Sequence, residues 1–351
     1  MPHNISSERL PTTFTLNTGA RIPTVGFGTW QAAPREVEAA VETALRAGYK
    51  HIDCAAIYRN EAEVGEGIRK SGIDRDEIFV TGKLWNTHHA PEDVEMALDQ
   101  TLRDLGTSYV DLYLMHWPVY ESLVSTLQHS KLIGISVYSA FKAGSKYFPL
   151  HPKTGVFELA DIDPAVTYQA MEKLLTTGKV RAIGVSNFNE RRLKDLMSKT
   201  SVVPAVNQLE AHPYLQQPAL FSFCCEHGIQ LCAYSPLGNN QTGEPRTVDD
   251  ARVKKIARRL GVDGGQVLAS WGIQRGHVVL PKSVTPSRIA SNLRVEKLPQ
   301  DAFDELNALE RHKRFNFPMR WGFDIFDEAG DETVEKAAEA AGEENKTKFV
   351  V

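Results

Sequence analysis

The chain has few cysteines and no long apolar stretch, and both absences narrow its class. Four cysteines among 351 residues, Cys54, Cys224, Cys225 and Cys232, have neither metal-ligand spacing nor the density of a disulfide framework. We interpret them as reduced core thiols, which pack as small hydrophobic side chains. No run approaches the roughly 18 apolar residues of a membrane span, and residues 1–11 lack the apolar core of a secretory signal. The sequence therefore predicts a cytoplasmic protein that contacts no membrane.

Other missing features argue against further classes. The net charge is −4 and no basic stripe is present, so nucleic acid is not an expected partner. No His/Cys/Asp cluster has zinc spacing, so no metal is expected. The Rossmann motif G-x-G-x-x-G is absent as well, because Gly26-Phe-Gly28 lacks the third glycine and Gly65-Glu-Gly67 lies in a helical pattern. We expect a small-molecule partner and a monomer or weak dimer.

Strand and helix patterns alternate along most of the chain. A short hairpin over 13–22 is followed by about eight βα units, whose strands are apolar runs, as buried parallel strands are. Eight such units over about 300 residues favour the α/β class and a (β/α)8 TIM barrel over an open sheet. We assign the barrel to 13–326, with the hairpin as an N-terminal plug and a C-terminal substrate loop. The acidic tail over 327–351 is interpreted as a frayed or solvated helix.

Four chemically active residues lie where strands end. Asp53, Lys83 and His116 each follow an apolar run, and Tyr58 lies in the loop after the second strand. In a barrel these strand ends meet at one rim, where catalytic groups belong. A nearby ammonium lowers the pKa of a tyrosine from its usual value near 10, so this set can make a phenol donate a proton to a carbonyl oxygen. Singly, Asp53 with Lys83 could be a buried ion pair and His116 a core histidine; together they favour catalysis.

A second group, near the C-terminal end of the barrel, is suited to an anion. Lys282 and Arg288 place two cations beside the hydroxyls of Ser283 and Thr285, just before a predicted helix N-terminus. A phosphomonoester is the natural guest of such a site, which would favour NADP(H) over NAD(H) in a chain that binds a nicotinamide cofactor.

Taken in order, the motifs of this chain resemble those of the aldo-keto reductases, barrel enzymes that reduce aldehydes and ketones with NADPH. The resemblance runs from Thr13 to Trp321 and implies that Asp53, Tyr58, Lys83 and His116 are the catalytic residues. It is carried by Val25-Gly-Phe-Gly-Thr-Trp30, His51-Ile-Asp53 with Tyr58, Lys83 and His116, Gly184-Val-Ser-Asn-Phe188, Val206-Asn-Gln208, Ala233-Tyr-Ser-Pro-Leu-Gly238 and the segment Leu280 to Asn292. The cofactor-binding residues that it implies are Gly28, Thr29, Ser186, Asn187, Gln208, Tyr234, Ser235, Leu237, Lys282, Ser283, Thr285, Arg288 and Asn292.

Aromatic residues follow several strand ends and predict a substrate wall. Trp30, Trp85 and Trp117 are expected to line the pocket beside His116. The segment Arg311 to Phe326 resembles fungal reductases of the glycerol dehydrogenase, glyceraldehyde reductase and pentose reductase type. A small polyol or aldose is therefore the expected substrate, reduced reversibly. The alternatives are a broad-specificity aldehyde reductase and, less favoured, a weakly active NADPH-sensing regulatory subunit.

The chain departs from the family pattern at four places. Arg59 follows the catalytic tyrosine where a small residue is common, Ser291 replaces a glutamate beside Asn292, and Asn239 replaces a serine. The fourth departure is residues 120–139, which interrupt the loop after the fourth strand and are read as an insertion. We hypothesise that they are a retained intron, because Val119-Tyr-Glu-Ser122 and Tyr138-Ser139 could be encoded by splice consensus sequences. Sequencing the transcript across this region decides the point.

Overall fold

The computed structural model describes residues 9–33, 35–118, 140–144, 147–240 and 243–348. The predicted insertion at 120–139 lies outside these residues. The chain begins with an antiparallel hairpin of β1 (Thr13–Thr15) and β2 (Arg21–Pro23), in which Phe14 pairs with Ile22. This hairpin matches the one expected from the sequence and precedes the barrel.

Eight parallel strands then form a nearly closed (β/α)8 barrel, as predicted. They are β3 (Phe27–Gly28), β4 (His51–Asp53), β5 (Phe79–Leu84), β6 (Leu112–Met115), β9 (Ile183–Ser186), β10 (Val206–Glu210), β11 (Gln230–Tyr234) and β12 (Val278–Leu280). Each pairs with its neighbour in this order. A parallel bridge from Val25 to Val279 brings the last strand back to the first. Between β6 and β9, the short strands β7 (Ala140–Phe141) and β8 (Leu159–Ala160) pair antiparallel.

Helices surround the barrel and begin and end where residue chemistry favours it. Proline occupies the first turn of four of them, where its missing N–H is not needed. One of these four ends at Gly106 and a further helix ends at Gly261, with left-handed φ angles of 64° and 70°. The helices are α1 (Glu36–Arg46), α2 (Glu61–Ser71), α3 (Pro91–Leu105), α4 (Pro164–Leu174), α5 (Glu190–Lys199), α6 (Pro218–Glu226), α7 (Ala251–Leu260), α8 (Gly264–Gln274), α9 (Pro286–Leu293), α10 (Gln300–Asn307) and α11 (Asp331–Lys348).

The two glycines of α2 serve helix packing. A Cβ at Gly67 would lie 2.6 Å from the carbonyl oxygen of Glu38, and one at Gly65 would collide with the backbone of Leu105. Side chains there would push α2 away from α1 and α3. Gly65-Glu-Gly67 is thus part of the helical layer, as its pattern indicated, and not a phosphate loop.

The structure corrects three expectations about the elements. The apolar pattern of the sequence predicts a first barrel strand at 24–26, but the strand is Phe27–Gly28, because Val25 forms only an isolated bridge to Val279 and Phe27 is the residue that pairs with Ile52. Helix α10 was missed, since its segment is polar. The C-terminal helix is not fully solvated: Val334 and Ala338 are buried, so one face of α11 packs on the protein.

Candidate active site

A buried ion pair forms the base of the site. The ammonium of Lys83, on β5, lies 2.5 Å from Oδ1 of Asp53 at the end of neighbouring β4, and 2.9 Å from the carbonyl oxygen of Cys54. Lys83 is fully buried and Asp53 is 4 % exposed. Burial alone lowers the pKa of Lys83, but the Asp53 carboxylate outweighs it and raises that pKa above its usual value. Lys83 is therefore a fixed positive charge at neutral pH.

Tyr58 lies above this pair, in a 3-10 turn at Ala56–Tyr58. Its hydroxyl is 3.5 Å from the Lys83 ammonium, and its ring is partly exposed. Burial raises the pKa of Tyr58 to about 12, against the opposite effect of Lys83. Lys83 does lower the pKa of Tyr58, as expected, but burial raises it more, so the predicted net lowering is wrong. In this structure the phenol is firmly protonated.

His116 follows β6 and lies among aromatic rings. Its ring packs edge-on against Tyr58 at 5.8 Å and against Trp85 at 5.4 Å between centroids. Burial, together with the positive charge of Lys83, puts the pKa of His116 well below its usual value, so the imidazole is neutral. Among the described residues its Nδ1 has no hydrogen-bond partner. A neutral ring with a free polar atom can orient a carbonyl oxygen but is a poor proton source.

Three of the predicted nicotinamide contacts form one hydrogen-bonded group at the ends of β9, β10 and β11. The amide of Asn187 donates to the His116 carbonyl oxygen at 3.0 Å and accepts from the Tyr234 hydroxyl at 2.7 Å. Ser186 donates to the carbonyl oxygen of Gln208 at 2.8 Å. Gln208 in turn donates to Asp53 Oδ2 at 2.7 Å. This group is joined directly to the predicted catalytic residues.

Gly28 and Thr29 lie on the other side of Asp53. The buried Thr29 hydroxyl donates to the Asp53 carbonyl oxygen at 2.9 Å, and the Gly28 N–H donates to that of Pro281 at 3.1 Å. A Cβ at Gly28 would lie 3.3 Å from the Leu280 carbonyl oxygen. The segment after β12 therefore joins the same rim as the predicted catalytic residues.

The predicted phosphate residues surround the start of α9. Lys282 is half-buried and donates to the Gln31 carbonyl oxygen at 3.0 Å, while Arg288 is exposed. The Ser283 hydroxyl accepts from the N–H of Thr285, which precedes the helix. Two cations, two hydroxyls and a helix N-terminus form a donor set that fits a phosphomonoester.

The remaining predicted cofactor residues lie on α9 and in the segment after β11. Asn292 is buried on α9, where a Cβ at Gly265 would collide with its amide oxygen. Ser235 follows Tyr234 with a left-handed φ of 47°, and the partly buried Leu237 accepts the Val248 N–H at 3.0 Å.

Aromatic rings form a cluster beside His116. Trp85 contacts Trp321 at 6.1 Å and Phe141 at 5.9 Å, and Trp117 contacts Trp321 at 5.2 Å. Trp85 is 3 % exposed, so within this structure it supports the wall more than it lines it. Trp30, half-buried after β3, is not a member of the cluster that the described residues form, so its place in the substrate wall stays a prediction.

Sequence reasoning missed several members of this wall. Phe141, Tyr147, Phe157 and Phe326 join it from segments without a strand-end signal. Their apolar rings in otherwise polar loops were the available clue. Arg59, one of the departures from the family pattern, has a φ of 56° and places its guanidinium 4.6 Å from the Tyr147 ring centre, so it adds to the wall.

The arrangement can stabilise a developing phenolate and hold a carbonyl oxygen between a phenol and a neutral imidazole. Within the described residues no group of three or more His, Cys, Asp or Glu side chains could hold a metal ion. Among the helices that the structure describes, none is long and apolar enough to cross a membrane.

Comparison with known proteins gives consistent matches. A profile described as "Aldo/keto reductase family" matches residues 24–311. The chain is 44 % identical over 331 residues to D/L-glyceraldehyde reductase of Hypocrea jecorina, covering 90 % of this chain and 94 % of that one. It is 42 % identical over 318 residues to aldo-keto reductase family 1 member A1 of Xenopus tropicalis, covering 87 % and 90 %. Among solved structures, the aldose reductase from Schistosoma japonicum matches with a TM-score of 0.79 and 34 % identity, over 90 % of this chain and 98 % of that one.

Proposed function

Because the chain belongs to the aldo/keto reductase family of oxidoreductases, we propose that it reduces the carbonyl group of small aldoses and aldehydes of the glyceraldehyde, glycerol or pentose type with NADPH. In the reverse direction it oxidises the corresponding alcohol with NADP+. The observation that carries the proposal is the buried Lys83–Asp53 pair with the Tyr58 hydroxyl 3.5 Å from the ammonium. The similarity to a D/L-glyceraldehyde reductase supports the substrate class.

The residues of the rim divide the work of carbonyl reduction. Tyr58, protonated at neutral pH, gives its proton to the carbonyl oxygen as that oxygen gains charge. The Lys83 ammonium stabilises the phenolate left behind, and Asp53 keeps that ammonium charged and aimed. His116, neutral, orients the carbonyl oxygen with a hydrogen bond.

The cofactor residues fit NADP(H). Lys282 and Arg288, with the N-terminus of α9, would hold the phosphomonoester, and Ser186, Asn187 and Gln208 would hold the amide end. When bound, the cofactor supplies the hydride. The link from Gln208 to Asp53 then connects cofactor position to the charge pair beside Tyr58.

Substitution of Tyr58 provides the direct test. Tyr58→Phe keeps the ring contact with His116 and removes only the proton donor, so we expect kcat with DL-glyceraldehyde to fall at least ~100-fold. NADPH binding, followed by quenching of tryptophan fluorescence, should remain within about threefold of wild type. If wild type and variant are equally inactive while both bind NADPH, the enzyme assignment fails and the regulatory alternative gains support.

The aromatic cluster favours one alternative, a broad-specificity aldehyde reductase. Rings such as Trp117 and Trp321 suit apolar aldehydes better than sugars. Initial rates of NADPH consumption with glyceraldehyde, dihydroxyacetone, xylose and an aromatic aldehyde separate the two. A kcat/KM for the aromatic aldehyde that exceeds the glyceraldehyde value would favour the alternative.

We also propose a cytoplasmic location, supported by four free cysteines, and a monomer or weak dimer. Light scattering coupled to gel filtration measures the oligomeric state. A fluorescent fusion shows the location in the cell.

A further inference from the structure

Glu210 is a fully buried carboxylate to which carbonyl reduction gives no role. It is the last residue of β10, two positions after Gln208, and neither it nor His212 has exposed surface. Its two oxygens receive separate backbone donors: Oε1 accepts the N–H of Phe315 and Oε2 that of Asn316, both at 2.8 Å. His212 Nε2 lies 2.8 Å from Oε1 as a third partner. A buried charge persists only when it is satisfied in this way.

The carboxylate is ionised at neutral pH. Burial alone raises the pKa of Glu210, but the His212 imidazole and the two backbone N–H groups outweigh burial and leave that pKa below its usual value. Hydrogen bonds from backbone N–H groups to an ionised carboxylate are about twice as strong as neutral ones. Glu210 therefore grips two consecutive residues of a segment that is 105 positions away in sequence.

The same segment is held along its length. The N–H groups of Arg311 and Lys313 both donate to the carbonyl oxygen of Tyr214, at 3.2 and 2.9 Å. With Phe315, which binds Glu210, alternate residues thus bind the end of β10 and the loop that follows it. The family profile ends at residue 311, so the gripped residues lie just beyond the matched part of the chain.

Two functional surfaces adjoin the gripped residues. Phe317, immediately after them, belongs to the aromatic cluster and packs 5.4 Å from Phe326. Asn316 donates from its side chain to the hydroxyl of Ser235 at 3.4 Å. Ser235 is a predicted cofactor residue and follows Tyr234 in the chain. One carboxylate therefore fixes a segment that contacts both the substrate wall and the cofactor segment.

We propose that Glu210 is a positioning residue that holds the segment 311–317 so that the aromatic wall closes over the barrel mouth, with Asn316 coupling this segment to the cofactor-binding Ser235. The inference rests on the proposed function, because it assigns the wall to substrate. Glu210 does not touch the reacting atoms and acts through Phe315 and Asn316.

Hydrogen exchange tests the grip without any assay of activity. In Glu210→Gln the side chain keeps one acceptor oxygen and turns an NH2 group toward the other N–H, so one bond becomes a repulsion. Exchange in a peptide spanning 312–318 should accelerate at least ~10-fold, while the amides of β10 stay protected. Unchanged exchange in that peptide would overturn the grip.

Steady-state kinetics test what the grip positions. For Glu210→Gln we expect the KM for glyceraldehyde to rise at least ~5-fold with kcat within about threefold of wild type. A merely structural role would lower the active fraction, and hence the apparent kcat, and leave KM unchanged. Faster exchange with an unchanged KM would therefore overturn the positioning role.

Asn316→Ala is the companion variant, because it leaves the buried carboxylate intact and changes a partly exposed side chain. We expect its KM for NADPH to rise about threefold while the 312–318 amides stay protected; an unchanged KM for NADPH overturns the coupling to Ser235. Failure of wild type to reduce any aldehyde would refute the proposed function, whereas the exchange result would still report on the grip.

Discussion

Removing the charge of Lys83 should separate catalysis from stability at this site. In Lys83→Met a side chain of similar length loses its ammonium, and the Asp53 carboxylate stays buried with Gln208 as its remaining side-chain partner. Breaking a buried ion pair on one side costs about 3–5 kcal/mol of unfolding free energy. The double variant Asp53→Asn/Lys83→Met no longer leaves a charge unpaired, and should recover about 2 kcal/mol of this loss.

The effect on catalysis follows from the 3.5 Å between the Lys83 ammonium and the Tyr58 hydroxyl. At this separation a full charge pair is worth up to about 5 kcal/mol in a medium of effective dielectric constant near 20. Tyr58 is partly exposed and carries only part of a charge in the transition state, so we take about half of that value. The expected loss in kcat is then roughly 100-fold.

Two assays decide the prediction. Urea unfolding measures the stability of wild type, Lys83→Met and the double variant, and saturating NADPH with DL-glyceraldehyde gives kcat for each. A loss in kcat below tenfold would refute the electrostatic role of Lys83. A double variant no more stable than Lys83→Met would show that Asp53 is not left as a costly unpaired charge.

Asp53→Asn is the matched control for the pair. Burial then lowers the pKa of Lys83 without the opposing effect of the Asp53 carboxylate, so the ammonium loses its proton at a lower pH than in wild type. The kcat of this variant should fall on the alkaline side of the pH profile before that of wild type does. Identical profiles would mean that Asp53 does not hold the charge of Lys83.

Three further outcomes are expected. Burial raises the pKa of Glu61 to about 7, so its ionisation opposes folding: stability should drop by about 3 kcal/mol as pH rises from 4.5 to 7. In urea unfolding between pH 4.5 and pH 7, the unfolding free energy of Glu61→Gln should not show this drop. A Cβ at Gly342 would lie 2.6 Å from the Thr154 carbonyl oxygen. Gly342→Val should therefore detach α11 and make it susceptible to limited proteolysis. Glu339→Ala, which changes an exposed residue of the same helix, is the control. Arg288→Ala should raise the KM for NADPH roughly 10- to 100-fold and that for NADH far less, as measured by initial rates.

The positions of the proposed catalytic residues could be predicted from the sequence, because the strand ends of a barrel meet at one rim. Asp53 and Lys83 close a buried pair between adjacent strands, and His116 follows the next strand. The α/β barrel follows from the same alternation of apolar strands and helices. Local sequence patterns therefore predict both the fold and the identity of the residues at the centre of the candidate site.

The pKa of Tyr58 could not be predicted in the same way. It depends on how far the hydroxyl is desolvated, and that depends on packing against residues distant in sequence, such as His116. The sequence indicates an ammonium near the phenol but does not indicate how deeply the phenol is buried. The expected lowering of the Tyr58 pKa by Lys83 therefore left out burial, which is the larger effect and raises that pKa.

The role of the buried Glu210 carboxylate could not be predicted from the sequence either, because its partners Phe315 and Asn316 are more than 100 positions away. Gln208 and Glu210 are two positions apart on β10, so both side chains point to the same side of the strand. Gln208 reaches Asp53 below the phenol, and Glu210 reaches Phe315 and Asn316 in the C-terminal segment. One strand therefore sets both the charge pair and the wall. A substitution that shifts the end of β10 should change kcat and KM together, whereas Glu210→Gln, which leaves the strand in place, should change KM alone.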